Sequence, residues 1–287
     1  MTPRLLLAAG LCLLLSALSA QDISFGFKAG LNFSRVDGPR ENDPSGTQVE
    51  NFRSATGFHV GATFAYPITD LFGVKVDLMY SQKGVEIDYN GPSYFFLYNP
   101  LSGERVQTIA VSERTSELDI SNSYIDIPLM LYHRIGILEV EAGASLGYLV
   151  TSVGGGGATY GLGSTFGTQT VNYEANFFSD EAGAAGVVAR RTDPFTGTGA
   201  ISPQSIGAYY NNGTDDNLFR RVDFGVVAGL AVYLNSGLYL GGRFNYGLSD
   251  ITLEDNDVSQ SQLGVPAANG DPTFIQRDDY DHNLSIQ

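Results

Sequence analysis

The chain has no Trp, one Cys and three His among 287 residues, and only 16% of its residues are charged. The Cys is Cys12, inside an N-terminal apolar run, so the chain beyond that run has neither disulfide nor thiolate chemistry. Charged residues fall well below the roughly 25% of soluble globular chains. Mean hydropathy is nevertheless −0.03, and nothing after residue 20 stays apolar for the ~18 residues that a membrane helix needs. A helical membrane anchor is excluded on that ground. Cations are the scarcer charge, 16 Lys and Arg against 31 Asp and Glu, for a formal charge of −15. An acidic chain does not neutralise phosphates, so a nucleic-acid partner is excluded as well.

What the chain does have is glycine, 35 residues of it, and a leader. Residues 1–20 read MTPRLLLAAGLCLLLSALSA. One cation, an apolar run too short to span a bilayer, and a tail of small residues make a secretory signal peptide with cleavage near Ala20. Its removal takes Arg4 and Cys12 away and leaves the formal charge at −16.

Residues 21–287 alternate. Phe25, Phe27, Ala29, Leu31 and Phe33 alternate with Gly26, Lys28, Gly30, Asn32 and Ser34. Successive strand side chains point to opposite faces, so this is a strand with one apolar and one polar face. The pattern recurs around 58–66, 74–80, 124–132, 138–148, 224–234 and 238–248, and in a fragment at 283–287. That makes eight strands, the complete ones of the length that crosses a bilayer at a tilt. Pro128 lies inside one of them and predicts a local bulge. Tyr66, Phe72, Tyr132 and Tyr233 gather at one set of strand ends, and Tyr80, Tyr148 and Tyr246 at the other, as interfacial aromatic girdles do.

The connections alternate too. Pro67–Leu71, the segment around Arg134–Gly136, and Asn235-Ser236-Gly237 are tight, whereas 36–56, 89–117, 151–218 and 251–280 are long. The fold predicted is therefore all-β: an antiparallel, eight-stranded, transmembrane up-and-down β-barrel with short periplasmic turns and long extracellular loops. Charge is sorted the same way, the four long segments carrying −2, −1, −4 and −5. The densest acidic group, Glu254, Asp255, Asp257, Asp278, Asp279 and Asp281, is a candidate cation-binding loop near lipopolysaccharide phosphates, although it does not match an EF-hand. A solvated acidic surface is the plainer reading of the same residues.

The opening FGFKAGLNFSRVDG, the segment Tyr124-Ile125-Asp126-Ile127-Pro128-Leu129 and the strand pair Asp223–Asp250 resemble the PorT-type small outer-membrane β-barrel domain family, a group of OmpA/OmpX-like eight-stranded barrels. The resemblance covers 21–287. It implies assembly in the outer membrane of a Gram-negative bacterium after Sec export, and in a few members a part in protein secretion. It carries over no catalytic residue and no cofactor. Barrels of this kind end on a full strand with a terminal aromatic. Here the pattern stops at Gln287 after about half a strand, so the last strand is expected to be truncated.

Eight strands enclose a space just wide enough for side chains. Lys28, Lys75, Asp77, Asp126, Glu141 and Arg243 fall on the inward parity near mid-height, with Glu139, Arg221 and Asp223 nearer the ends. Cations and anions nearly balance, which predicts a mutually neutralising polar plug. The function expected is that of a non-enzymatic surface-interaction or secretion-accessory protein acting through its acidic loops. Its partners would be outer-membrane lipid, lipopolysaccharide, and other envelope or secretion proteins. The alternative is a narrow channel for small or apolar solutes. A third reading, a barrel-embedded hydrolase, would require His59 to meet Asp88, Asp119 or Asp250; His133 and His282 lie on other strands.

Overall fold

The computed structural model describes residues 23–98, 105–178, 186–191, 217–235, 237–253, 258–268, 270, 273–277 and 280–287. The leader lies outside the described residues. Alternating sequence becomes strand throughout: β1 (Ser24–Asp37), β2 (Glu50–Pro67), β3 (Phe72–Tyr98), β4 (Arg105–Ile135), β5 (Leu138–Gly161), β6 (Thr168–Phe178), β7 (Gly186–Arg191), β8 (Val222–Tyr233), β9 (Tyr239–Gly247), β10 (Val258–Leu263), β11 (Phe274–Gln276) and β12 (His282–Ile286).

Eight of these close a ring of antiparallel neighbours, β1-β2-β3-β4-β5-β8-β9-β12 and back to β1. Its outer wall carries the apolar parity. Phe27, Leu31, Phe64, Leu78, Leu129, Leu131, Phe224, Leu230 and Leu240 are all exposed there, which in water would be a large liability and in lipid is the requirement. The tight turns fall on one side as predicted. At the β4–β5 turn Gly136 takes a positive φ of 62°, a conformation that costs glycine nothing.

The ladders run much further on the other side than the sequence pattern suggests. The segments 89–117 and 151–218 are expected as loops. Instead β3 and β4 stay paired as far as Tyr98 and Arg105, and β5 continues to Gly161, where it pairs with β4 on one edge and β6 on the other. The Gly154–Gly157 run lies inside that ladder; a side chain on Gly156 would collide with the Glu117 carbonyl.

Along this extension the two faces exchange polarity without changing parity. On β3 the inward series Lys75, Asp77, Ser81 and Lys83 becomes Val85, Ile87 and Tyr89, all buried, while the outward series Val76, Leu78 and Tyr80 becomes Glu86 and Asp88. On β4 the inward Asp126 and Asn122 give way to Ile120 and Leu118, and the outward Leu129 and Ile127 to Asp119 and Glu117. The exchange falls at one level, since Gly84 pairs with Ser121 and Lys83 with Asn122. Below that level the barrel is apolar outside and polar inside. Above it the barrel is an ordinary soluble one, with a core of Val36, Phe52, Phe95, Tyr160, Phe219, Ile251 and neighbours.

Three local expectations are corrected. Pro128 makes no bulge: it pairs with Ser145 in unbroken register, and the irregularity on that edge falls between Ser123 and Tyr124. Tyr132 is buried and Tyr233 reaches Glu139 with its hydroxyl, so both line the lumen and do not belong to an interfacial girdle; Tyr66 and Tyr148 are exposed as a girdle requires. Arg221 is exposed and donates to the Tyr148 hydroxyl at 2.7 Å, outside the lumen. The last strand is short: β12 holds five residues. β12 pairs with Phe33–Asp37 of β1, whereas Ser24–Asn32 pair with β2 alone among the described residues.

Candidate functional site

The six lumen residues picked out by parity all point inward, and they fall into two clusters. The lower cluster holds five of them. Lys28 Nζ donates to Asp77 at 2.6 Å. Arg243, from the facing strand, donates to the same carboxylate at 2.9 Å and to Glu141 through Nε at 2.8 Å. Lys75 donates to Glu141 at 2.9 Å and to Glu139. Arg134, at the periplasmic mouth, closes the chain on Glu139 at 2.7 Å and stacks its guanidinium 4.0 Å from the Tyr233 ring. The period of two aims alternate residues of β1, β3, β5 and β9 at one axis, which is why residues as far apart as 77 and 243 meet.

Asp126 belongs to the upper cluster. Lys83 donates to it at 3.0 Å and lies 4.0 Å from Asp223. The Tyr124 ring sits 4.7 Å from the Lys83 ammonium. Asn283 donates to Asp223 at 2.9 Å and Ser249 does so at 2.8 Å. Between the clusters His59 and Asn32 share a 2.7 Å hydrogen bond, and Asn32 also bonds Ser81 at 2.9 Å. Together five carboxylates (Asp77, Asp126, Glu139, Glu141, Asp223) meet four buried cations (Lys28, Lys75, Lys83, Arg243) inside the spanning wall, and Arg134 adds a fifth at its mouth. Charges buried this deeply are tolerated only when paired. Two lumen cations are absent from the sequence reading: Arg134, which it leaves in a tight turn, and Lys83. Lys83 continues the parity of Lys75 and Asp77 beyond Tyr80, where the apolar alternation stops, and that continuation was the available signal.

Above the clusters a second structure fills the mouth. The β10–β11 hairpin lies against the inner face of β3, with Ser93 Oγ donating to the Gln260 carbonyl at 2.8 Å and the Tyr94 hydroxyl to that of Ser259 at 2.9 Å. Arg277 pairs with Glu50 at 3.0 Å. Burial pushes the Glu50 carboxyl above its ordinary range, against the pull of Arg277.

Of the candidate cation loop, Glu254, Asp255, Asp257, Asp278 and Asp279 lie outside the described residues. Asp281 is buried, accepts from Thr252 Oγ1 at 3.0 Å, and donates its backbone N–H to Asp250 at 3.2 Å. That makes it a tie between β12 and the segment after β9. Among the described residues no group of three His, Cys, Asp or Glu could hold a metal. The three aspartates that a hydrolase reading needs do not reach His59. Asp88 pairs with Arg53 on the outer face, Asp119 is exposed there, and Asp250 pairs with Arg220.

No curated protein matches the chain. The family described as outer membrane protein β-barrel domain matches residues 19–253, most of the chain. With a lipid-facing apolar wall around a neutralised interior already in view, that match settles the kind of protein: the chain belongs to the outer membrane protein β-barrel domain family.

Proposed function

We propose that this outer-membrane barrel is a sealed scaffold that presents its extracellular extension as a surface-interaction or secretion-accessory module, of the PorT type, and performs no catalysis. Cleavage near Ala20 would precede its assembly, and lipopolysaccharide and other envelope proteins would be its neighbours. The observation that carries the reading is the two-tier ion-pair filling, with an apolar core above it. A solute crossing the lumen would have to break Lys28–Asp77, Arg243–Glu141 and Lys83–Asp126 in succession. Breaking a buried pair costs about 3–5 kcal/mol. Function on such a frame moves to the loops and extensions that it holds rigid. Planar-bilayer recording of the refolded protein tests the seal. The expected trace shows no steady conductance, and a reproducible unitary current would replace the scaffold with the narrow channel.

A further inference from the structure

The β10–β11 hairpin is fastened by an unusual contact. The Glu41 carboxylate, from the segment between β1 and β2, takes hydrogen bonds from Ser259 Oγ at 2.6 Å, Ser261 Oγ at 2.7 Å, and the backbone N–H groups of Gln260 and Ser261 at 3.0 and 2.9 Å. All four residues are buried. Consecutive N–H groups with hydroxyls beside them form an anion-binding concavity. A charged acceptor makes each of these bonds shorter and stronger than a neutral one would. The Glu41 backbone N–H donates in turn to Glu50 at 3.0 Å, and Glu50 holds Arg277 just beyond β11. Both ends of the hairpin are thus fastened to one short stretch, Glu41–Glu50, more than two hundred residues away in sequence. Its apolar anchors are Val258, buried in the core of the extension, and Leu263 and Phe274, which pack against that core, the Phe274 ring 6.2 Å from both Tyr94 and Phe96.

We infer that Ser259–Ser261 is a carboxylate-binding nest filled in cis by Glu41, and that this contact latches the hairpin as a lid over the apolar core of the extracellular extension. Its release uncovers Tyr94 and Phe96, an apolar surface that the closed molecule hides. The latch is independent of the sealed lumen below it. Conductance reads the ion-pair clusters, whereas the latch is read by hydrogen exchange of the hairpin.

The test is amide hydrogen exchange on the full refolded chain, comparing Glu41→Ala and Glu41→Gln with the parent. Local opening sets exchange rates in such elements. Exchange across Val258–Leu263 is expected to rise at least about tenfold in both variants, while the Ala142–Leu149 rungs of β5 stay as they were. Excess sodium formate, compared with equal sodium chloride, is expected to restore protection in Glu41→Ala by refilling the nest. Unchanged hairpin exchange overturns the latch. A rise shared equally by β5 overturns the lid, because it reports global loosening. Failure of formate to restore protection overturns the carboxylate site.

Discussion

Arg243→Met is the sharpest perturbation of the lumen. The guanidinium is almost fully buried and is shared by two carboxylates, Asp77 at 2.9 Å and Glu141 at 2.8 Å. Methionine keeps the bulk of the side-chain stem and removes the charge. Asp77 keeps Lys28 and Glu141 keeps Lys75, so neither anion is orphaned, but across the lumen five carboxylates are left with four cations, one excess negative charge in a low-dielectric space. Removing one partner of a buried pair costs about 3–5 kcal/mol. At urea slopes of roughly 1–3 kcal/mol/M, the unfolding midpoint in lipid vesicles should fall by about 1 M or more. The chain lacks Trp, so the assay is the heat-sensitive shift in gel mobility that accompanies barrel unfolding, supported by far-ultraviolet circular dichroism. Adding Glu141→Gln removes the excess charge and should recover part of the loss, with a coupling of about 0.5–3 kcal/mol expected for groups in one network. A single variant as stable as the parent, or a double variant whose losses simply add, would refute the claim that mutual neutralisation fills this lumen.

Two further outcomes follow from the placement of the wall and of the first extracellular turn. Leu78→Arg puts a cation on the lipid face midway along the spanning part of β3, where it should cost about 2–4 kcal/mol in vesicle refolding. Thr115→Arg, exposed on the same side of the wall but above the polarity exchange, should cost nothing measurable; equal effects at the two positions would show that the bilayer is misplaced. Asp43 accepts from the Ser45 hydroxyl and from the Ser45 and Thr47 backbone N–H groups, and these bonds, the Ser45 hydroxyl first, hold its carboxyl below the ordinary 3.8. A depressed carboxyl supports its turn above the unfolded value and loses that support as pH falls through the folded one. The amide shifts of Ser45 and Thr47 should therefore hold constant from neutral pH down to about 4 and move only below it; movement between pH 5 and 7 would contradict the geometry.

The spanning barrel was legible because lipid and lumen impose opposite demands on alternate residues. Lys28, Lys75, Asp77 and Arg243 could be placed inward from parity alone, and their pairing then followed from the cost of unpaired charge. The extension was not legible in the same way. From Gly84 and Ser121 outward the inward residues turn apolar and the outward ones acidic, so the strand keeps its period while the sign of the pattern reverses. Apolar-out alternation therefore stops near Tyr80, short of Lys83, although the strand itself runs on to Tyr98. The glycine run 154–157 hid the continuation of β5 for a different reason. Four residues without side chains have no alternation to show, and the tight approach of the Glu117 backbone accounts for one of them, Gly156. The nest around Glu41 was beyond reach because two of its four donors are backbone N–H groups, which leave no trace in residue type, and because its two halves lie more than two hundred residues apart.

The reversal also bears on where function can sit. Below Gly84 every face of the wall is committed: the outside must be apolar for the bilayer, and the inside must be nearly neutral because its charges are buried and stable only when paired. Substitution there is constrained from both sides. Above Gly84 the core is apolar and internal, so the outer face is under no demand except solubility. Arg53 among Glu86, Asp88 and Glu117 shows how that freedom is used, as an exposed charge cluster carrying more anion than cation. Such a surface contributes little to stability. The acidic excess of the chain is thus concentrated on the part of the molecule that folding constrains least, and recognition can be tuned there without disturbing the barrel that carries it.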